Sequence, residues 1–170
     1  MKKCAWGDLK KLFGTGAYVA LFLSTFVNKV DKKGRVSVPA SFRASLVTES
    51  FQGIVLFKSQ AHEALEGFGL SYMSEISSRL DHYDLFSNEQ DDLATVIFSE
   101  SVQLPIDGDG RVVLPKNLMD EIGVSDQAAF VGLGHKFQIW SPSKLEARKT
   151  QARKTVKEQK LTLPKGEQSS

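Results

Sequence analysis

Five basic side chains fall within fifteen residues: Lys29, Lys32, Lys33, Arg35 and Arg43. Three of them flank Gly34 in the run Val30-Asp31-Lys32-Lys33-Gly34-Arg35-Val36. An aspartate can bond the backbone two residues on, and glycine supplies a positive φ, so Asp-x-x-Gly predicts a tight hairpin corner. Lysines on such a corner can neutralise phosphates, and an arginine opening the returning strand can make bidentate contacts to a guanine edge. A two-stranded ribbon is slim enough to enter the major groove of duplex DNA. A bland account competes, because hairpin tips are commonly charged merely through being solvated. A second Asp-x-x-Gly-Arg, running from Asp107 to Arg111, repeats the arginine at the same place. Duplication favours a functional role, although an arginine bridging to the turn aspartate four residues earlier would serve structure equally well.

Other chemistries find little support. His62, His82 and His135 are scattered, and Cys4 has no neighbours that would activate it. A glycine-rich phosphate loop, a Gly-x-Ser-x-Gly elbow and a His-Glu-x-x-His helix are all missing from the sequence; His62-Glu63 is followed by Ala64, Leu65 and Glu66, so the zinc pattern fails at its last position. Asp107-Gly108-Asp109 starts like an EF-hand loop, but its fifth position is Arg111, its sixth Val112 and its twelfth Leu118. The residues therefore predict no enzyme, no cofactor and no metal site. One cysteine can form neither an intrachain disulfide nor a cysteine metal cluster, as expected for a reducing compartment.

The elements that must position these cations follow from an internal repeat at an offset of 76 residues. Val30 to Pro39 aligns without a gap on Ile106 to Pro115, with Asp, Gly, Arg, Val and Pro identical. The same register pairs Phe26 with Val102, Phe42 with Leu118 and Leu46 with Ile122, and sets Ile54-Val55-Leu56-Phe57 against Phe130-Val131-Gly132-Leu133. Each unit predicts strand, tight turn, strand, short helix, strand. Pro39 and Pro115 stop a strand and suit a first helical turn, and Gly123 is a natural helix stop. Between the units, Met73, Ile76, Leu80 and Tyr83 recur at helical spacing. Ser87-Asn88-Glu89-Gln90 is a capping box opening a second linking helix through Leu93 and Ile97. Phe137 to Trp140 predicts one more strand, and Ser141-Pro142 opens a charged segment with a helix-start signature. One unit has few core positions, whereas two interleaved copies could bury a shared interior. The two corners and their arginines would then lie near each other on one face.

At 170 residues, 41% hydrophobic and 25% charged, the composition is that of a soluble globular chain. Its net charge of +2 is unevenly spread. Residues 1–43 carry nine Lys/Arg against two Asp, residues 81–126 carry eleven Asp/Glu against two basic residues, and residues 144–170 carry eight Lys/Arg against three Glu. Any polyanion should meet the N-terminal region first. Residues 12–27 are largely apolar behind Lys10 and Lys11, but Gly14, Thr15 and Gly16 interrupt them and no clear small-x-small cleavage site follows, so no export or membrane anchoring is expected.

Taken together, residues 22–39 (Phe22-Leu23-Ser24-Thr25-Phe26-Val27-Asn28-Lys29-Val30 through Val38-Pro39), the second Asp107-x-x-Gly110-Arg111, Phe130-Val131-Gly132 and Lys136-Phe137-Gln138-Ile139-Trp140 resemble the bacterial MraZ transcriptional regulators. The resemblance covers residues 22–148. It implies an AbrB-like swapped-hairpin fold, duplicated in one chain, and assembly of several chains into a ring. It further implies a cytoplasmic, nucleoid-associated protein that binds short repeated sites upstream of a division and cell-wall gene cluster, usually as a repressor. By motif position, Asp31, Arg35, Asp107 and Arg111 inherit the family's DNA-binding signature. Two departures stand out. About twenty residues precede Phe22, where family members usually begin, so they reflect either a basic extension or an upstream start codon. In the second corner Gly108-Asp109 replaces Lys32-Lys33, leaving it at −1 against +2 and predicting that Arg35 matters more than Arg111.

The expected fold class is thus α+β: two AbrB-like swapped-hairpin repeats forming a pseudo-twofold, β-barrel-like core with linking helices. Residues 1–21 are expected to be an extension, disordered or a start-site artefact; residues 22–70 the first repeat; residues 71–100 the linking helices; residues 101–148 the second repeat; and residues 149–170 a charged, frayed or disordered tail. The expected partners are double-stranded promoter DNA and further copies of the chain in a ring, with no membrane and no small-molecule substrate. The expected DNA-binding residues are Lys29, Asp31, Lys32, Lys33, Arg35, Arg43, Asp107 and Arg111. An oligomeric protein-interaction scaffold, or an antitoxin-like relative of the same fold, is the alternative from another class.

Overall fold

The computed structural model describes residues 21–165, and the expectations for the extension before them lie outside the described residues. In chain order the elements are β1 (Thr25–Lys29), β2 (Arg35–Ser37), α1 (Ala40–Ser45), β3 (Gly53–Lys58), β4 (Leu65–Phe68), α2 (Leu70–Leu80), α3 (Asn88–Ala94) and a wide helical turn (Thr95–Ser99). They continue with β5 (Val102–Pro105), β6 (Arg111–Val113), α4 (Lys116–Ile122), β7 (Gln127–Gly132), β8 (Phe137–Trp140) and α5 (Pro142–Glu158). The class is α+β, built on antiparallel pairing.

Six strands form one sheet in the order β1-β7-β8-β4-β3-β5, and β2 pairs with β6 in a separate two-stranded ribbon. The expected closure into a barrel does not occur. Past each corner the chain leaves the sheet, and β2 and β6 pair with one another, with a single Val30–Val36 bridge joining the first hairpin's arms. Strands β1 and β5 are left as the two edges of an open sheet.

The strand order is symmetric about its middle, where Glu66 of β4 lies opposite Gln138 of β8. In the ribbon the equivalent residues Val36 and Val112 face each other. A pseudo-twofold therefore passes through both places. It relates β1 to β5, β2 to β6, α1 to α4, β3 to β7, β4 to β8 and α2 to α5, so each unit is longer by a strand and a helix than the sequence pattern suggested. The register also drifts. Phe26 pairs with Phe130 and Val102 with Leu56, so the counterpart of Phe130 is Leu56 and not Ile54. The cause is the loop before the third strand. Gly123, at φ 70°, ends α4 with Val124 N–H donating to the Met119 carbonyl and Gly123 N–H to that of Asp120, a compact helix stop. After α1 the chain keeps right-handed geometry at Leu46 and uses two more residues to reach β3.

Both units fill one interior. Val36, Val38, Phe42 and Leu46, together with their counterparts Val112, Leu114, Leu118 and Ile122, are all buried in the same cluster against the sheet's inner face. Phe42 is its centre, with ring centroids 5.1 Å from Phe22, 5.7 Å from Phe26 and 5.3 Å from Phe137. The outer face is covered in two halves. Val55, Phe57 and Phe68 pack on Met73 of α2, and Ala129 and Trp140 pack on Leu145 of α5. Strand β4 escaped the sequence pattern because Glu66 and Gly67 interrupt it, yet both are buried or closely packed. Gln138 Nε2 donates to Glu66 Oε1 at 2.8 Å, Lys136 Nζ lies 2.9 Å from Oε2, and a side chain at Gly67 would collide with the Phe137 ring. This pairing compensates the desolvation of a carboxylate.

The linking region is helical, with Ser87 Oγ accepting from Gln90 N–H at 3.2 Å, while Tyr83 lies beyond the end of α2 and is exposed. Helix α5 runs on to Glu158, past the point where fraying was expected. Leu145 anchors its first turns, and the Ala, Arg, Lys, Gln and Glu that follow are strong helix formers that need no apolar stripe.

Because Phe42 is fully buried against the rings of Phe22, Phe26, Phe130 and Phe137, Phe42→Ala is expected to lower the unfolding free energy by about 3–5 kcal/mol. A shift of the urea unfolding midpoint, read by circular dichroism, checks this.

Candidate nucleic-acid interface

Each corner is wound around its aspartate. Asp31 Oδ1 accepts from the backbone N–H of Lys33 at 2.8 Å and of Arg35 at 3.0 Å, and Oδ2 accepts from Arg35 Nε at 2.6 Å. At the second corner Asp107 Oδ1 accepts from Asp109 and Arg111 N–H, both at 2.9 Å, and Oδ2 from Arg111 Nε at 3.2 Å. Gly34 and Gly110 take φ of 79° and 77°, the left-handed conformation that closes the turn. Their carbonyls cross to the other unit: Gly110 accepts from Val38 N–H and Gly34 from Leu114 N–H, each at 2.9 Å.

That crossing sets the ribbon's orientation. Val36 and Val112 point into the core, so Arg35, Ser37, Arg111 and Val113 occupy the opposite face. Arg35 lies beside Val113 and Arg111 beside Ser37, which puts the two arginines at the diagonal spacing of an antiparallel pair, roughly 7–8 Å. Both are partly exposed. Their bonding differs. Arg35 is held through Nε alone among the described residues, whereas Arg111 is held through Nε by Asp107 and through Nη2 by Asp109. Lys33, the residue that stands where Asp109 stands in the second corner, cannot accept such a bond, so the terminal guanidinium nitrogens of Arg35 have no carboxylate partner among the described residues.

Lys32 and Lys33 are exposed at the first corner, and Lys29 is exposed at the end of β1, opposite Gln127. Arg43 is not with them. Its guanidinium lies over Gly110 of the second corner, and its Nε donates to the Val38 carbonyl at 3.2 Å. The sequence placed Arg43 near the first cluster by chain proximity, but α1 crosses to the other unit's corner. Lys116, which sequence reasoning passed over, is brought to the first corner instead. A groove of about 530 Å³ between that corner and α4 is lined by Asp31, Lys32, Lys33, Pro115, Lys116 and Asp120 among others, with Lys116 Nζ bonded to Asp120 at 3.0 Å. Only its place in the repeat, one residue after Pro115, could have signalled it.

A family profile described as "MraZ protein, putative antitoxin-like" matches residues 97–163. The protein named Transcriptional regulator MraZ from Rickettsia akari (strain Hartford) is 45% identical over 143 residues, covering 84% of this chain and 96% of that relative. Proteins of the same name from Rickettsia felis (strain ATCC VR-1525 / URRWXCal2) and Rickettsia bellii (strain OSU 85-389) are each 44% identical, over 143 and 144 residues, with the same coverage. This chain belongs to the MraZ family.

Within this MraZ chain the corner aspartates are electrostatically tuned. Both carboxyls are held below the ordinary value of 3.8, chiefly by the backbone N–H of Arg35 at Asp31 and of Arg111 at Asp107. The Asp107 carboxylate in turn raises the basicity of Arg111. A carboxyl whose pKa is depressed on folding contributes stability that is complete above its unfolded value and lost as pH falls through the folded one. The corners should therefore hold through neutral and mildly acidic pH and loosen below about 3.8. Thermal melting from pH 7 to pH 2 of the native protein and of Asp31→Asn/Asp107→Asn checks this: the variant should melt lower at neutral pH, and the two curves should converge in acid.

Proposed function

We propose that this protein is a sequence-specific DNA-binding transcriptional regulator whose interface is the outer face of the β2–β6 ribbon and its first corner. The observation that carries the reading is the ribbon itself, which sets two arginines diagonally across one outward face with Lys32 and Lys33 at its rim. Phosphates would be held by Lys29, Lys32 and Lys33, and Arg35 would address a guanine edge with its free guanidinium nitrogens. Asp31 and Asp107 would act by shaping the turns, and Arg111, tied to two carboxylates, would contribute less. The reciprocal hairpins support a duplicated, AbrB-like swapped-hairpin ancestry for the fold.

Family membership supports the finer statements: repression of a division and cell-wall gene cluster through repeated sites in the protein's own promoter, in a cytoplasmic, nucleoid-associated homo-oligomeric ring. Exposed Leu85 and Phe86 in the segment between α2 and α3 favour contact with further copies. Several corners meeting repeated sites would raise affinity by multivalency without new contacts. Among the described residues no helix is long and apolar enough to cross a membrane.

The test is a titration against the gene's own upstream DNA and a shuffled duplex at several salt concentrations. Arg35→Ala should lose roughly ten-fold or more in affinity for the upstream DNA and little on the shuffled duplex, whereas Lys32→Ala should weaken both equally and flatten the salt dependence. Arg111→Ala should cost less than Arg35→Ala. Equal losses on both duplexes for Arg35→Ala would remove its role in base readout.

A further inference from the structure

We infer that Arg43 completes a second phosphate-binding site at the Asp107–Arg111 corner, built jointly by the two repeat units. The inference rests on the DNA-binding reading above. Under the pseudo-twofold the counterpart of Arg43 is Met119, and each of them covers the other unit's corner glycine. Met119 Sδ lies 3.6 Å from where a Gly34 side chain would start, and the Arg43 guanidinium is the nearest group to the same point on Gly110. The two corners are thus alike in backbone and in being covered from the other unit, and differ in which part carries the cation.

At the first corner the turn itself supplies Lys32 and Lys33, and its cover is a neutral thioether. The second turn has Gly108 and Asp109 in their place and is net negative by itself. Its own arginine is consumed, Nε by Asp107 and Nη2 by Asp109. Arg43 supplies the missing charge from α1. It is exposed, uses Nε on the Val38 carbonyl, and has no carboxylate within ion-pair distance among the described residues, so neither terminal nitrogen is tied up in an ion pair there, although Nη1 rests on Gly110. A planar fork of two donors beside a backbone without a side chain suits the two non-bridging oxygens of a phosphodiester. The Asp107 and Asp109 carboxylates repel anions on their own side of the corner, so a phosphate would approach from the Arg43 side. The role is one of position: the second corner would fix the register of the duplex, while the first reads it.

Arg43→Gln, Arg43→Lys and Met119→Arg are the variants to measure against the upstream DNA and its shuffled counterpart. Glutamine should weaken binding to both duplexes by the same factor and lower the slope of log affinity on log salt by about 0.9 for each subunit engaged. Lysine should restore the slope, and Met119→Arg should steepen it. If Arg43→Gln keeps the native slope, the inference fails even where the native protein binds its DNA well; a lowered melting temperature with an unchanged slope would assign Arg43 to structure and fail it equally. If the native protein itself shows no salt-sensitive binding to either duplex, the DNA-binding reading falls, and this inference with it.

Discussion

Neither hairpin corner satisfies all of its own backbone. The carbonyls of Gly34 and Gly110 each need an N–H, and each takes it from the other unit, from Leu114 and Val38. The β2–β6 pairing that results is only three residues long, too short to be stable without packing. Its inward side chains, Val36 and Val112, make it part of the common core. From this exchange the remaining architecture follows. The helices after β2 and β6 are carried across to cap the opposite corner, Phe42 and Leu118 enter one interior from two directions, and the edge strands β1 and β5 are left apart. A half-molecule would expose an unpaired ribbon strand and half of a core.

A frame repeated so closely makes its differences informative. Hydrogen bonds around Asp31 and Asp107 agree atom for atom, so the turns owe their shape to the carboxylate and the glycine and not to the two residues between them. Those intervening positions are free to vary, and there the charge differs: two lysines in one corner, a glycine and an aspartate in the other. The corners are not electrostatically isolated, since their arginines stand at diagonal spacing in the ribbon and the Asp31 carboxylate adds to the raised basicity of Arg111. The outer face of the sheet shows the same economy, with equivalent strand positions covered by a helix that follows β4 in one unit and β8 in the other.

The repeat was legible in the sequence because turns and strand ends depend on a few residue types. Asp31, Gly34 and Pro39, and their counterparts Asp107, Gly110 and Pro115, each answer to a local steric or hydrogen-bonding demand that no tertiary contact can replace. The helix stop at Gly123 and the cap at Ser87 belong to the same class. Strand β4 was hidden because its identity as a strand depends on its neighbours: a glutamate is acceptable there only when Gln138 and Lys136 receive it, and a glycine is required only because Phe137 lies across it. The two-residue drift between Ile54 and Leu56 as partner of the Phe130 position was equally invisible, since a shift of two keeps every side chain on its own face.

The amino-acid sequence by itself determined the two corners, the order of elements in each unit as far as its third strand, and the positive charge of the first turn, all of which arise from interactions between residues near in the chain. The tertiary structure alone decided which corner each cation lies against. Arg43 lies eight residues from Arg35 in the chain yet rests on Gly110, and Lys116 joins the first groove from the far unit. The open sheet was decided in the same way, because β2 and β6 find each other across the pseudo-twofold instead of closing on β1 and β5. Local propensity is blind to such choices: where two equivalent halves exchange partners, the address of a side chain is set by the symmetry of the packed pair and not by distance along the chain.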